Sequence, residues 1–162
     1  MLLSVKPLNS GYFEPFGEVL DVRTAESFPI NNGTTTRFHA LGEVEVSGKD
    51  AKAIISVFRG QPRPLPIEIS MMERHPLGSQ AFYPLSANPY LVVVAEDLDG
   101  RPGEPKAFIA NSQQGVNYHQ NVWHHPLLSL QRVSDFLIVD RAGSGNNLEE
   151  VEYFEPYMIE RI

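Results

Sequence analysis

The sequence predicts an all-β fold, a sandwich or barrel of short strands. Three observations carry this reading. Short β-prone runs recur along the chain, turn chemistry separates them, and no βαβ alternation or glycine-rich phosphate loop is present. The abundance of Pro (13) and Gly (12) with 10% aromatic residues suits many strands joined by turns better than a helical bundle.

In chain order, Ser10 to Phe16 reads as a short helical element, with Ser10 as N-cap and Phe13 and Phe16 at helical spacing. Val44 and Val46 alternate with glutamates, as in a strand. Ala53 to Phe58 is β-rich, and Leu65 to His75 alternates cleanly. Tyr90 to Ala95 is continuously apolar, as expected of a strand covered on both faces. Ala107 to Ala110, Val116 to Trp123, Asp135 to Val139 and Val151 to Phe154 complete the strands. Asn31-Asn32-Gly33, Ser47-Gly48-Lys49-Asp50, Arg59-Gly60-Gln61-Pro62, Asp97-Leu98-Asp99-Gly100 and Gly143 to Asn147 punctuate them.

Composition narrows the function. The chain has 162 residues, the length of one domain, with 42% hydrophobic residues to build a core. No linker or repeat divides it, so residues 1–162 are expected to form one domain. Its formal charge of -7 is the opposite of what a nucleic-acid binder shows. With no cysteine, disulfides and thiolate metal sites are excluded. The opening residues lack the pattern of a signal peptide, and the longest apolar run is far too short to cross a bilayer. A cytoplasmic protein with no membrane partner is expected.

Two polar groups fall where alternation predicts an inward face. The odd positions of Leu65–His75 are Leu65, Ile67, Ile69, Met71, Glu73 and His75. If the apolar members face the core, Glu73 and His75 do too, and an inward carboxylate and imidazole call for a polar cavity. The competing reading is an exposed strand end followed by a loop at His75-Pro76. The second group, Gln114 to Pro126, holds three of the five histidines and the only tryptophan. Continued alternation places Asn117, His119, Asn121 and Trp123 on one face, with Tyr118, Val122 and His124 on the other. Convergent amide, imidazole and indole groups suit a small polar ligand, whereas the bland alternative is a strand whose Asn and His satisfy turns. His125, beside Pro126, is assigned a structural role. Asp135, Asp140 and Arg141 are assigned to ion pairing at a barrel rim.

Ile30 to Gly33, Glu73 to Phe82, Gln114 to Pro126 and Asp135 to Arg141 together resemble the ureidoglycolate lyase family, formerly called ureidoglycolate hydrolase. The resemblance runs in order over nearly the whole chain. It implies a cupin-like antiparallel β-barrel, usually a homodimer, that splits ureidoglycolate into glyoxylate and urea during allantoin breakdown. Cupins share His-x-His followed after three or four residues by Glu, with another His on a later strand. Glu73-x-His75-x4-Gln80 sits in that register, and His119 corresponds to the later His. The resemblance thus implies Glu73, His75 and His119 as ligands of a divalent metal such as nickel, without an organic cofactor.

The same resemblance implies His119 and Glu73 as the acid–base pair, in either order, with His75 orienting them. Arg37 and the turn at Asn32 would bind the substrate carboxylate, because a guanidinium matches two oxygens. Gln80 and Asn117 would hold the ureido group, and Trp123 and His124 would wall the pocket. The alternatives are another metal-dependent cupin enzyme, an isomerase or dioxygenase acting on a hydroxy or keto acid, and a metabolite-binding barrel without catalysis.

Overall fold

The computed structural model describes residues Met1–Ile162. Strands account for 53% of the residues and helix for 4%, so the fold is all-β with curled sheets forming a half-barrel. The chain begins with β1 (Val5–Pro7), the short helix α1 (Ser10–Phe13) and β2 (Gly17–Asp21). A hairpin, β3 (Ser27–Ile30) and β4 (Thr35–Phe38), turns through Asn31–Gly33. Next come β5 (Lys52–Gly60), β6 (Ile67–Arg74), β7 (Gln80–Pro84), β8 (Tyr90–Ala95), β9 (Asp97–Leu98) and β10 (Arg101–Pro102). The rest are β11 (Lys106–Ala110), β12 (Gln114–Tyr118), β13 (Trp123–His124), β14 (Leu128–Ser129), β15 (Ser134–Ala142) and β16 (Glu149–Ile159).

One sheet has the order β1-β11-β8-β13-β6-β16, with β14 also on β8; the other has the order β2-β12-β7-β15-β5. Between them lies a core of Phe13, Phe82, Tyr90, Val92, Val94, Phe108, Val116, Tyr118, Phe136 and Ile138. A second cluster, with Ile67, Ile69, Met72, Leu91, Val93, Ala95 and Trp123, covers the other face of the first sheet. Strand β8 divides its side chains between the two, which is why Tyr90–Ala95 is apolar without interruption. Each fully buried large apolar side chain here contributes about 1.5–3 kcal/mol.

Local chemistry sets several boundaries. Asn9, not Ser10, caps α1, its side chain accepting from the Gly11 and Tyr12 amides. Val44 and Val46 lie in a loop that makes one isolated bridge, Val46 to Gly78, instead of a strand. The segment Val116 to Trp123 is not one strand. β12 ends at Tyr118, Asn121 turns at φ 68°, and the chain resumes in the other sheet as β13.

Strand β6 does not keep one face. Ile67, Ile69 and Met72 all join the second cluster, so the alternation changes phase between Ile69 and Met72. The neighbouring β16 shifts register between Glu152 and Tyr157, opposite Met71 and Ile69. Glu73 therefore points into the barrel, away from the face of Ile67 and Ile69, and stands directly across from His124. Arg74 takes the outer face. It donates to Glu149 at 2.6 Å and to Asp97 at 2.8 Å, and its guanidinium lies 4.3 Å from the Trp123 ring centroid.

This Arg74 node ties β6 to β16 and to the start of β9. A lysine cannot serve two carboxylates and an indole with one planar fork. Arg74→Lys is expected to lower stability by about 1–2 kcal/mol, read as a lower urea midpoint at unchanged slope.

Candidate functional site

The barrel interior carries a compact ionisable group: Glu73 at the end of β6, His75 just beyond it, and His124 in β13. One ligand atom from each lies within 4.8 Å of the others. His124 Nε2 stands 3.5 Å and His75 Nε2 3.8 Å from Glu73 Oε1. His124 is 1% exposed and its ring stacks on Tyr118 at 4.2 Å and 12°. The Tyr118 hydroxyl has its pKa raised by burial and by the Glu73 charge.

Both imidazoles are oriented by the main chain. His75 Nδ1 meets the Asn147 carbonyl at 2.8 Å, and His124 Nδ1 meets the Val122 carbonyl at 2.9 Å. A carbonyl only accepts, so each Nδ1 carries a proton and each ring turns its Nε2 toward Glu73. Both Nε2 atoms are buried without a hydrogen-bond partner. Burial pushes the Glu73 carboxyl up, but the adjacent His124 imidazole, with the charges of His75 and His125, holds it below the ordinary carboxylate range.

Two imidazole lone pairs and a carboxylate on one small locus, with the Nδ1 atoms fixed from behind, match the donor set of a divalent transition ion with open positions. The orphaned Nε2 atoms are the observation that makes the fit.

The remaining expected residues separate. Gln80, 6% exposed, continues the row of Phe82 into the interior. Asn117 and His119 do not join Glu73; they lie together on the other side of the second sheet, against Glu18. Asn117 Nδ2 donates to Glu18 Oε2 at 3.0 Å and to the Glu43 carbonyl at 2.8 Å, and His119 Nδ1 is 3.8 Å from Glu18 Oε2. The reason is alternation within β12: Tyr118 faces inward, so Asn117 and His119 face outward, and the turn at Asn121 then resets the phase. His124 takes the place beside Glu73 and His75 that His119 was expected to fill.

Trp123 is buried in the outer cluster, donating to Asp97 at 2.7 Å, and does not wall the interior. His125 is buried, with Nδ1 at 2.8 Å from the Pro126 carbonyl, and burial lowers its pKa. Asn32 and Arg37 are exposed on the β3–β4 hairpin, whose strands pair only with each other. Among the charges assigned to a rim, only Asp135 forms an ion pair, with Arg59 at 2.8 Å. Arg141 instead holds the carbonyls of Ser47 and Ser144, while Asp140 faces inward to Gln80. Sequence reasoning missed the inward role of Asp140, although its spacing from Phe136 and Ile138 carried the signal. A surface groove of about 450 Å³, lined by residues including Leu2, Lys6, Tyr12 and Lys106, shares no residue with this site.

The comparisons with known proteins agree along the whole length. The family model described as Ureidoglycolate lyase matches residues 1–160. A protein of Rhizobium leguminosarum bv. trifolii named Ureidoglycolate lyase is 57% identical over 157 residues, covering 97% of this chain and 95% of the relative. One from Rhizobium meliloti, named Ureidoglycolate lyase 1, is 56% identical over 98% of this chain and 93% of its own. A Brucella melitensis protein named Ureidoglycolate lyase is 56% identical over 96% of this chain and 91% of its own.

Titrated with Ni²⁺ in a calorimeter, the protein is expected to take up one ion per chain. His124→Ala should weaken that uptake by roughly a hundredfold, the scale of a lost ligand or more, whereas His119→Ala should leave it unchanged.

Proposed function

Because this chain belongs to the ureidoglycolate lyase family, we propose that it cleaves ureidoglycolate to glyoxylate and urea in allantoin breakdown. The observation that carries this reading is the half-buried Glu73 carboxylate facing two imidazoles inside a barrel whose sequence matches the family over residues 1–160. Ureidoglycolate holds hydroxyl, carboxylate and urea nitrogen on one carbon, so its collapse needs proton transfers and no redox step.

Both imidazoles approach Glu73 through Oε1, which leaves Oε2 for the substrate. Glu73, kept ionised by its neighbours, takes the hydroxyl proton. The oxygen's electron pair forms the carbonyl of glyoxylate as the carbon–nitrogen bond breaks. Glu73 returns the proton to the departing nitrogen, and urea leaves neutral. His75 and His124 flank Glu73 on its Oε1 side, and the Tyr118 ring holds His124 in its plane. A divalent ion held by Glu73, His75 and His124 would supply electrostatic stabilisation to the developing alkoxide. Gln80 lies on the interior wall beside Tyr118, its register partner.

The one-domain chain is proposed to work in the cytoplasm as a homodimer. Support for the dimer comes from the edge strand β5, where Ile55 is 74% and Val57 57% exposed, an uncovered apolar edge of the kind that pairing or packing normally hides.

Purified protein is expected to accelerate glyoxylate release from ureidoglycolate above the spontaneous rate, with urea and not ammonia as the nitrogen product. Absence of acceleration would end the proposal, and ammonia would replace a lyase with a hydrolase. Glu73→Gln is expected to lower kcat by roughly a hundredfold or more, and chelation followed by Ni²⁺ return reads the ion's share. His119→Ala is expected to keep the activity within a few-fold; its loss would return that residue to the chemistry.

A further inference from the structure

We propose that Asp140 and Gln80 form the receiver for the ureido end of the substrate and so set the direction in which it lies in the barrel; this rests on the function proposed above. Asp140 follows Phe136 and Ile138 on the inward row of β15, and Gln80 precedes Phe82 on the inward row of β7. Gln80 Nε2 donates to Asp140 Oδ2 at 3.1 Å. A carboxylate only accepts, so this contact fixes the amide orientation and turns Gln80 Oε1 away from Asp140.

Two acceptors are then left over. Gln80 Oε1 and Asp140 Oδ1 are both buried and both lack a hydrogen-bond partner. Leaving a buried acceptor unpaired is costly, and two such atoms on one hydrogen-bonded, inward-facing pair match a ligand that brings donors. The positive end of Arg141 is not available to them, since its guanidinium is spent on the Ser47 and Ser144 carbonyls.

The ureido group is the donor-rich end of the substrate, with three N–H bonds against one carbonyl. The carboxylate end has only acceptors and carries the same charge as Asp140. The pair therefore attracts one end and repels the other. Its position gives the direction a consequence. Gln80 is the cross-strand partner of Tyr118, and the Tyr118 ring stacks on His124 at 4.2 Å. A substrate with its urea nitrogens on Gln80 and Asp140 presents the hydroxyl-bearing carbon toward Glu73 and the imidazoles.

The isosteric change Asp140→Asn tests this. The Gln80 amide still needs an acceptor, so the asparagine oxygen stays with it and the free atom becomes an N–H₂, a donor facing donors. Steady-state kinetics with urea and glyoxylate as inhibitors read the two ends separately. Asp140→Asn is expected to raise the inhibition constant of urea and the KM of ureidoglycolate by roughly tenfold, while that of glyoxylate stays within about twofold. Equal weakening of both inhibitors, or unchanged inhibition by urea, would overturn the assignment. If the variant does not fold, Gln80→Met must show the same selective loss, and its failure to do so is equally decisive. Should the wild type not turn over ureidoglycolate, the proposed function fails. Direct urea binding to wild type and Asp140→Asn, followed by NMR, then decides the receiver independently: no difference between them refutes it.

Discussion

A carboxylate inside a β-barrel must be answered by donors or positive charge, and here Glu73 is answered by two imidazoles. Much of the local structure serves that arrangement. The phase change in β6 turns Glu73 inward, and the crossing from β12 to β13 brings His124 opposite it. The turn that makes the crossing is itself held, since the Asn121 amide donates to the His75 carbonyl and the Gln120 side chain to that of Pro76. The segment carrying one imidazole is thus tied to the segment carrying the other.

Strands β6 and β13 do two jobs on opposite faces. Inside, Glu73 and His124 form the polar group; outside, Arg74 and Trp123 stack and share Asp97. Adjacent residues necessarily face opposite ways in a strand, so the ion-paired outer layer stiffens the same peptide units that aim the inner side chains. The polar group sits at the end of two packed strands and not on a free loop, which suits a reaction that depends on proton positions.

The all-β architecture was legible because period-2 patterning and turn residues are local signals. Tyr90–Ala95 announced its double burial outright. Site geometry was legible where alternation held and lost where it broke. Glu73 was read as inward, yet from a row that changes phase between Ile69 and Met72. Placing His119 on the site face followed from carrying one strand through Val116 to Trp123, when a positive φ at Asn121 marks the turn where the chain swaps sheets. Short strands such as β1 and β2 escaped notice because a few residues carry too little period, and Asp140 was set aside because a charge beside Arg141 reads as an ion pair until both partners are seen.

Both ring orientations come from peptide carbonyls, those of Asn147 and Val122. A carbonyl belongs to the backbone and survives any exchange of the residue that bears it. The protonation sense of the two imidazoles is therefore a property of chain path, so substitutions at those two positions can accumulate without inverting which nitrogen looks inward.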